Sequence, residues 1–421
     1  MAQIIEHVVQ QGESLASISR RYAVSAGAIW NASNFISGDR STIYPGEVAI
    51  IPKTSTMIVG SGTDLRNVGD TEVTLAIGGN TFRGWSGVTI QKSIDAFSQF
   101  AVSVPFDPSR GEIRRAFTPF SYERVQVYIG RELVLTGTME LIEPSVNAMS
   151  REITVQGRSI PGVLVDCHIG SDGDQWWGLS LQQLATEFCR PFSIDVVLDG
   201  DDAYPSDEII AEPGKTFFSF LQQVADANHR LITDDETGRL VILTPQVGGE
   251  PVASITEGQD SIISFSASYN GAKRFSKYTI LSQAVGLPDM EGTASDPHVQ
   301  AFRPFVKLGG ESVIDNIEQA AIQERGLALA SSFALNISVI GWHTGRVLWD
   351  KGQIVTVKIP SVFIDSDTPM LISAVKMTID AEVGQVSELT LVPPETYTEK
   401  VPEEVTEGDG GDIWYSERDE Y

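Results

Sequence analysis

Cys167 and His168 are adjacent, the one place in the chain where a thiol and an imidazole, the partners of a nucleophile and its base, meet in sequence. Neighbouring residues on a strand point to opposite faces, so a structural role is expected for both. The other histidines, His7, His229, His298 and His343, are scattered and form no close pair at metal-ligand spacing. Cys167 and Cys189 are the only cysteines and make no CxxC pair, so neither a disulfide framework nor a zinc site is expected; both read as small hydrophobes. The acidic clusters Asp172, Asp174 and Asp199, Asp201, Asp202 lack the downstream Gly and Glu of a calcium loop and read as turns. There is no HExxH, GxSxG or Walker loop. With 56 Asp and Glu, some pair could always be set at glycosidase spacing, so the carboxylates alone signal nothing. The expectation is no catalysis, no metal and no cofactor.

Charge narrows the partners. Thirty Lys and Arg against 56 Asp and Glu leave a formal net charge of -26, a poor match for gripping nucleic acid, whose phosphates are bound through cationic side chains. No apolar run approaches the roughly 18 residues of a membrane-spanning helix, and MAQIIEHVVQ lacks the pattern of an export signal. No membrane anchor is expected.

The elements that would position any binding residues begin with HVVQQGESLASISRRYAVSAGAIWNASNF, His7 to Phe35. His7 to Val9 is β-prone, Gly12 turns the chain, and Ser14 caps a helix with Leu15, Ile18 and Tyr22 on its apolar side. Ser25 caps a second helix carrying Ile29 and Trp30, and IYPGEVAIIP supplies a Pro-Gly turn and a closing strand, Val48 to Ile51. This βααβ unit resembles the LysM domain. Val9, Gly12, Glu13, Ser14, Leu15 and Ile18 match the family's opening. Tyr22, Val24 and Ser25 match the approach to its second helix and Asn34 that helix's end; Ile43, Gly46, Val48, Ile50 or Ile51, and Pro52 match its close. The resemblance implies a groove that holds N-acetylglucosamine chains, or equally a peptide strand or loop, with Gly12, Glu13, Ser14, Leu15, Ile18, Asn34, Ile43, Tyr44, Pro45 and Gly46 as its residues. The sequence departs from the family at His7, where an aromatic is frequent, and at Ser33, which takes the usual place of the Asn. Both positions border the groove, so they weaken glycan binding more than the fold.

The remainder reads as strands, then a change of period, then strands again. Residues 1–53 form the βααβ unit, and 54–67, rich in Ser, Thr and Gly, are a linker or extended arm. Residues 68–158 hold short alternating runs, with Gly78-Gly79-Asn80 as a hairpin signal, and suggest a first barrel. Residues 159–250 hold two helical runs, LSLQQLATEFCRPF and KTFFSFLQQVADANHRL, each followed by a strand, and form a small α/β insert. Residues 251–396 return to alternation around one helix, roughly Ser312 to Ser332 with Ile314, Ile317, Ala321 and Leu327 inward, and form a second barrel. Residues 397–421 are an acidic, glycine-dotted tail. The fold class is therefore mainly β, with two barrel-like regions, an α/β insert and the N-terminal βααβ unit.

Four stretches of the body resemble the baseplate hub proteins of contractile phage tails, of the Mu-like and late-control-protein-D type. They are EVTLAIGGNTFRGWSGVTIQKSIDAFSQFAVSVP, ITVQGRSIPGVLVDC, PGKTFFSFLQQVADANHRLITDDETGRLVILTP and GWHTGRVLWDKGQIVTVKIP. Their order and spacing span residues from about 70 to 397. The resemblance implies two barrels related to the tail-tube subunit in each chain and a homotrimeric ring that joins a sixfold tube or tube-initiator protein to a threefold central spike. It places the protein in the virion's tail baseplate, where DNA passes through the ring without being bound specifically. A carboxylate-rich lumen would suit that passage. Trp342 and Trp349, inside the fourth stretch, belong to a barrel core or a subunit interface. Trp176 and Trp177 are interface candidates, and Trp414, in the tail, is a candidate anchor on a partner.

Three functions follow from these features. The LysM unit docks the hub to sheath-initiator or wedge proteins; or the hub is the same and LysM contacts peptidoglycan during penetration; or the chain is a wall-binding or wall-cutting enzyme. The absence of a catalytic constellation disfavours the third. An internal ring is badly placed to meet the wall before the spike does, which favours the first.

Overall fold

In the computed structural model the chain is described over residues 5–397, except for 16, 19–28, 31–32, 34, 37–41, 52–56, 62–64, 66–67, 108–109, 147–150, 171–174, 177, 201, 203–208, 211–212, 228–229, 244–248, 282–290, 309–316 and 381–383.

Alternation of apolar and polar residues produces the body's strands. In VTIQKS, Val88, Ile90 and Lys92 are buried while Thr89, Gln91 and Ser93 are half-exposed, so one face meets a core. The first strand-rich region supplies β1 (Val73–Ile77), β2 (Gly87–Ser93), β3 (Ala96–Pro105), β4 (Arg124–Ile129), β5 (Glu132–Val146) and β6 (Arg151–Ser159). The second supplies β7 (Ala253–Thr256), β8 (Ile262–Tyr269), β9 (Phe333–Ile340), β10 (Ile354–Ile359), β11 (Ile364–Asp380) and β12 (Gly384–Val392). Side by side they run β1-β4-β5-β6-β3-β2 and β7-β10-β11-β12-β9-β8. The second order repeats the first strand for strand. One sense differs, since β1 is antiparallel to β4 and β7 is parallel to β10.

The two units form one sheet through a single antiparallel pairing of β2 with β11, from Ser93 opposite Ala374 to Thr89 opposite Thr378. Beyond β1 the sheet continues through Asn80–Arg83 to Ile58–Ser61, so part of the stretch expected to be a linker or arm is an edge strand. Gly78 and Gly79, both at positive φ (55° and 80°), make the two-residue turn that the sequence signals. A common core runs through both units, including Leu75, Ile90, Val127 and Val155 from the first and Ile337, Trp342, Val357 and Met377 from the second. Where β5 meets the bulged β6 the backbones approach so closely that a Cβ on Gly157 would lie 2.1 Å from the Thr138 carbonyl oxygen.

The insert packs α1 (Leu181–Cys189) and α2 (Phe217–Ala227) on a three-stranded sheet ordered Val196–Asp199, Leu240–Leu243, Leu231–Asp234. Ser180 starts α1 with a capping box completed by Gln183. Between β8 and β9, α3 (Ile317–Ser331) lies on a second three-stranded sheet built of Lys277–Leu281, Glu291–Ser295 and Pro304–Leu308. Ala321 is buried there and Ile317 packs beside it, but Leu327, expected inward, is 44% exposed because the cluster beneath α3 takes only its first turns. Ile314 lies outside the described residues.

At the N-terminal end, Ile5–Val8 pairs antiparallel with Val48–Ile51 over a core of Val9, Leu15, Ile18, Ile29 and Ala49. Among the described residues no helix is long and apolar enough to cross a membrane.

Candidate functional site

Two regions gather polar side chains, the N-terminal unit and the junction of the body. In the first, Glu13 accepts a hydrogen bond from the Gln10 N–H at 2.9 Å and pairs with the His7 ring at 2.7 Å, which tightens the turn at Gly12. Glu47 is buried and accepts from the backbone N–H groups of Ile36 and Tyr44, both at 2.6 Å. Ser33 accepts from the Ile50 N–H at 2.7 Å and donates to the Ile29 carbonyl at 2.6 Å, a structural use for the position where the family carries Asn. Backbone bonds from Val9 N to Glu47 O and from Gly46 N to Val9 O hold the two turns at one end of the strand pair.

Of the expected groove residues, Gly12, Ser14, Tyr44, Pro45 and Gly46 lie at this end. Gly12, Tyr44, Pro45, Gly46 and Ser14 are exposed there, and Glu13 and Ile43 are half-buried. Leu15 and Ile18 are not surface residues; at 6% and 0% exposure they form the core, because the helix turns their side towards the strand pair. Asn34 lies outside the described residues.

The junction holds a network that the sequence analysis missed. Lys351 donates to Asp234 at 2.5 Å and to the Thr233 hydroxyl at 2.6 Å, and Lys92 donates to Asp350 at 2.6 Å. Asp234 also accepts from the backbone N–H and the hydroxyl of Ser98. The four charges join β2 and β3 of the first unit, the insert's strand Leu231–Asp234 and the loop before β10. Burial pushes the Lys351 ammonium below its usual value by more than Asp234 raises it. One signal was available, since Lys92 stands in phase with the inward Val88 and Ile90.

The tryptophans divide between core and undescribed chain. Trp342 is fully buried and its Nε1 donates to the carbonyls of Thr378 and Val386 at 3.1 and 3.2 Å. Trp349, 5% exposed, belongs to the same core. Both therefore take the core alternative and offer almost no surface to a subunit interface. Trp176 is in a two-residue strand paired with Ile209–Ile210, and Trp177 and Trp414 lie outside the described residues.

The thiols show no activated arrangement. Cys189 is buried and its thiol is pushed up to about 12 by desolvation. Cys167 is half-buried, and His168 bridges to Thr216 through its backbone. Among the described residues, no group of three or more His, Cys, Asp and Glu is placed to hold a metal ion.

Comparison with known proteins places these regions. Residues 7–52 match the LysM domain family. Residues 72–159 match the N-terminal domain of the Mu phage baseplate assembly protein GpP-like family, 161–244 the second domain of the baseplate hub protein gp44-like family, and 316–400 the fourth domain of the GpP family. The chain is 25% identical over 362 residues to baseplate hub protein gp44 of Escherichia phage Mu, covering 81% of this chain and 92% of that protein. The 43 kDa tail protein of prophage MuSo2 from Shewanella oneidensis superposes with a TM-score of 0.66 at 25% identity, over 77% of this chain and 99% of that one. A tail protein from Neisseria meningitidis shares the fold, with a TM-score of 0.68 at 22% identity over 78% of this chain and 98% of that one. Three hub-domain matches in register along one chain, on a body made of two like strand units, mean that the chain belongs to the Mu-like baseplate hub proteins of phage tails and carries a LysM domain at its N-terminal end.

Proposed function

We propose that three copies of this hub close into a ring that joins a sixfold tail tube to a threefold spike and lets DNA through without holding it. The observation that carries this is the strand order repeated twice in one chain. Three chains then offer six like units to the tube while keeping threefold symmetry for the spike. The net charge of -26 supports a lumen that repels phosphate over a Debye length of about 8 Å. The role is structural, in keeping with relatives that are tail proteins.

Light scattering of the purified chain should give three times the chain mass, and negative-stain images of the same peak should show a ring with an open centre. A species that stays monomeric at every concentration and in the presence of its spike would overturn the ring.

The LysM domain acts as a clip onto neighbouring sheath-initiator or wedge proteins. Its exposed turns, around Gly12 and from Tyr44 to Gly46, support this by presenting backbone that a partner's strand or loop can meet. Leu15→Asp places a carboxylate in a core with five buried apolar members among the described residues, and should unfold the clip while leaving the body folded. Baseplates should then fail to assemble around an intact hub. Normal particles that infect poorly would instead assign the domain to peptidoglycan.

A further inference from the structure

The repeated strand order makes the β2–β11 pairing a template for a second joint. By position in the order, β8 corresponds to β2 and β5 to β11. The match extends to single residues. β5 skips Glu140 where its pairing with β6 shifts, and β11 skips Ser373 at the equivalent shift against β12, so Glu140 corresponds to Ser373. Following the registers through β3 and β9, Ile90 and Lys92 correspond to Ala267 and Tyr269.

In the template, Met377 lies opposite Ile90 and Val375 opposite Lys92. The corresponding residues of β5 are Pro144 and Ile142. The half of β5 from Leu141 to Val146 pairs only with β6, and β8 pairs only with β9, so each has one main-chain edge with no strand against it among the described residues. Burial follows the same line. Met377 and Val375 are both fully buried, whereas Pro144 is exposed and Ile142 half-buried; Ile90 is fully buried, whereas Ala267 is half-buried. These two edges, with no strand against them among the described residues, are those that the template covers.

We infer that β8 of one copy adds antiparallel to the Leu141–Val146 half of β5 in the next copy, with Ala267 opposite Pro144 and Tyr269 opposite Ile142. The occupant of each edge is therefore a second copy of this chain, and the inference rests on the ring proposed above. Pro144 has no N–H, so its pair with Ala267 has one main-chain bond where Met377 and Ile90 can have two. A proline on that edge also disfavours unmatched strands. The contact is head-to-tail, so it must close into a ring or grow into a filament.

Ser268→Cys combined with Glu143→Cys tests it in the full chain. Both side chains are exposed, so the fold tolerates the changes, and the register sets them directly opposite at a non-hydrogen-bonded site, about 4.5 Å apart between Cα atoms. Mild oxidation should convert most of the protein to a species of three linked chains on a non-reducing gel, reversed by reductant, while each single variant behaves as the unmodified chain does. A trimer by light scattering that does not cross-link would overturn the strand pairing and leave the ring intact. A chain monomeric at every concentration would overturn both.

Discussion

Asp234→Ala is expected to destabilise the body by about 3–5 kcal/mol, read as a lower denaturant midpoint, because it strands a buried cation. The Asp234 side chain is 0% exposed and that of Lys351 10%. Removing the carboxylate also leaves the Ser98 N–H and hydroxyl without their acceptor. Adding Lys351→Met should recover much of the loss, since an apolar side chain of similar length needs no partner; if the double variant is as unstable as the single one, the network is not what holds the insert. The same pair sets an alkaline signature. Lys351 titrates below its ordinary value when folded, so the unfolded chain keeps that proton to higher pH. Its contribution to stability therefore rises with pH between the folded value and about 10.4, the value in an unfolded chain. Stability of the unmodified protein relative to Lys351→Met should climb through that window. In Asp234→Ala, where the ammonium loses its hydrogen-bonded carboxylate and keeps only the field of Asp350, the window should widen downward.

Trp342→Ala should cost about 3–5 kcal/mol as well, by a different route. Trp342 fills the centre of the second unit at 0% exposure and its indole N–H spans the carbonyls of Thr378 in β11 and Val386 in β12. Truncation leaves a cavity between strands that must stay paired for the sheet to continue. Trp349→Phe provides the contrast. Its Nε1 has no hydrogen-bond partner among the described residues, so the exchange removes no bond and should cost about 1 kcal/mol. Equal losses for the two variants in urea unfolding would sink the assignment of Trp342 as the centre of that core.

Where the chain's own pattern alternated, the sequence predicted the structure well. The alternating stretches of residues 68–158 and 251–396 supplied the strands of the two units, and Gly78-Gly79 became the turn expected of it. Periodicity also found α1 and α2, whose apolar stripes are strong. It did worse with α3, where Leu327 is spaced as a core residue yet stands exposed. Glu291–Ser295, reading EGTAS, has no apolar alternation and is a strand only because Lys277–Leu281 pairs with it. The pairing of β2 with β11 joins residues nearly 300 positions apart, and no local signal encodes it. The buried charges were hidden for a related reason. Asp234 and Lys351 look like ordinary turn residues, and only the fold brings them within reach of each other.

Duplication inside one polypeptide has a consequence for stoichiometry. The α/β insert and the LysM domain each occur once for every two copies of the six-strand unit. In any assembly of this chain, a neighbour that recognises the strand unit alone meets every position as equivalent. A neighbour that recognises the insert or the clip meets alternate positions only, so a single gene sets two different counts of attachment points on one surface.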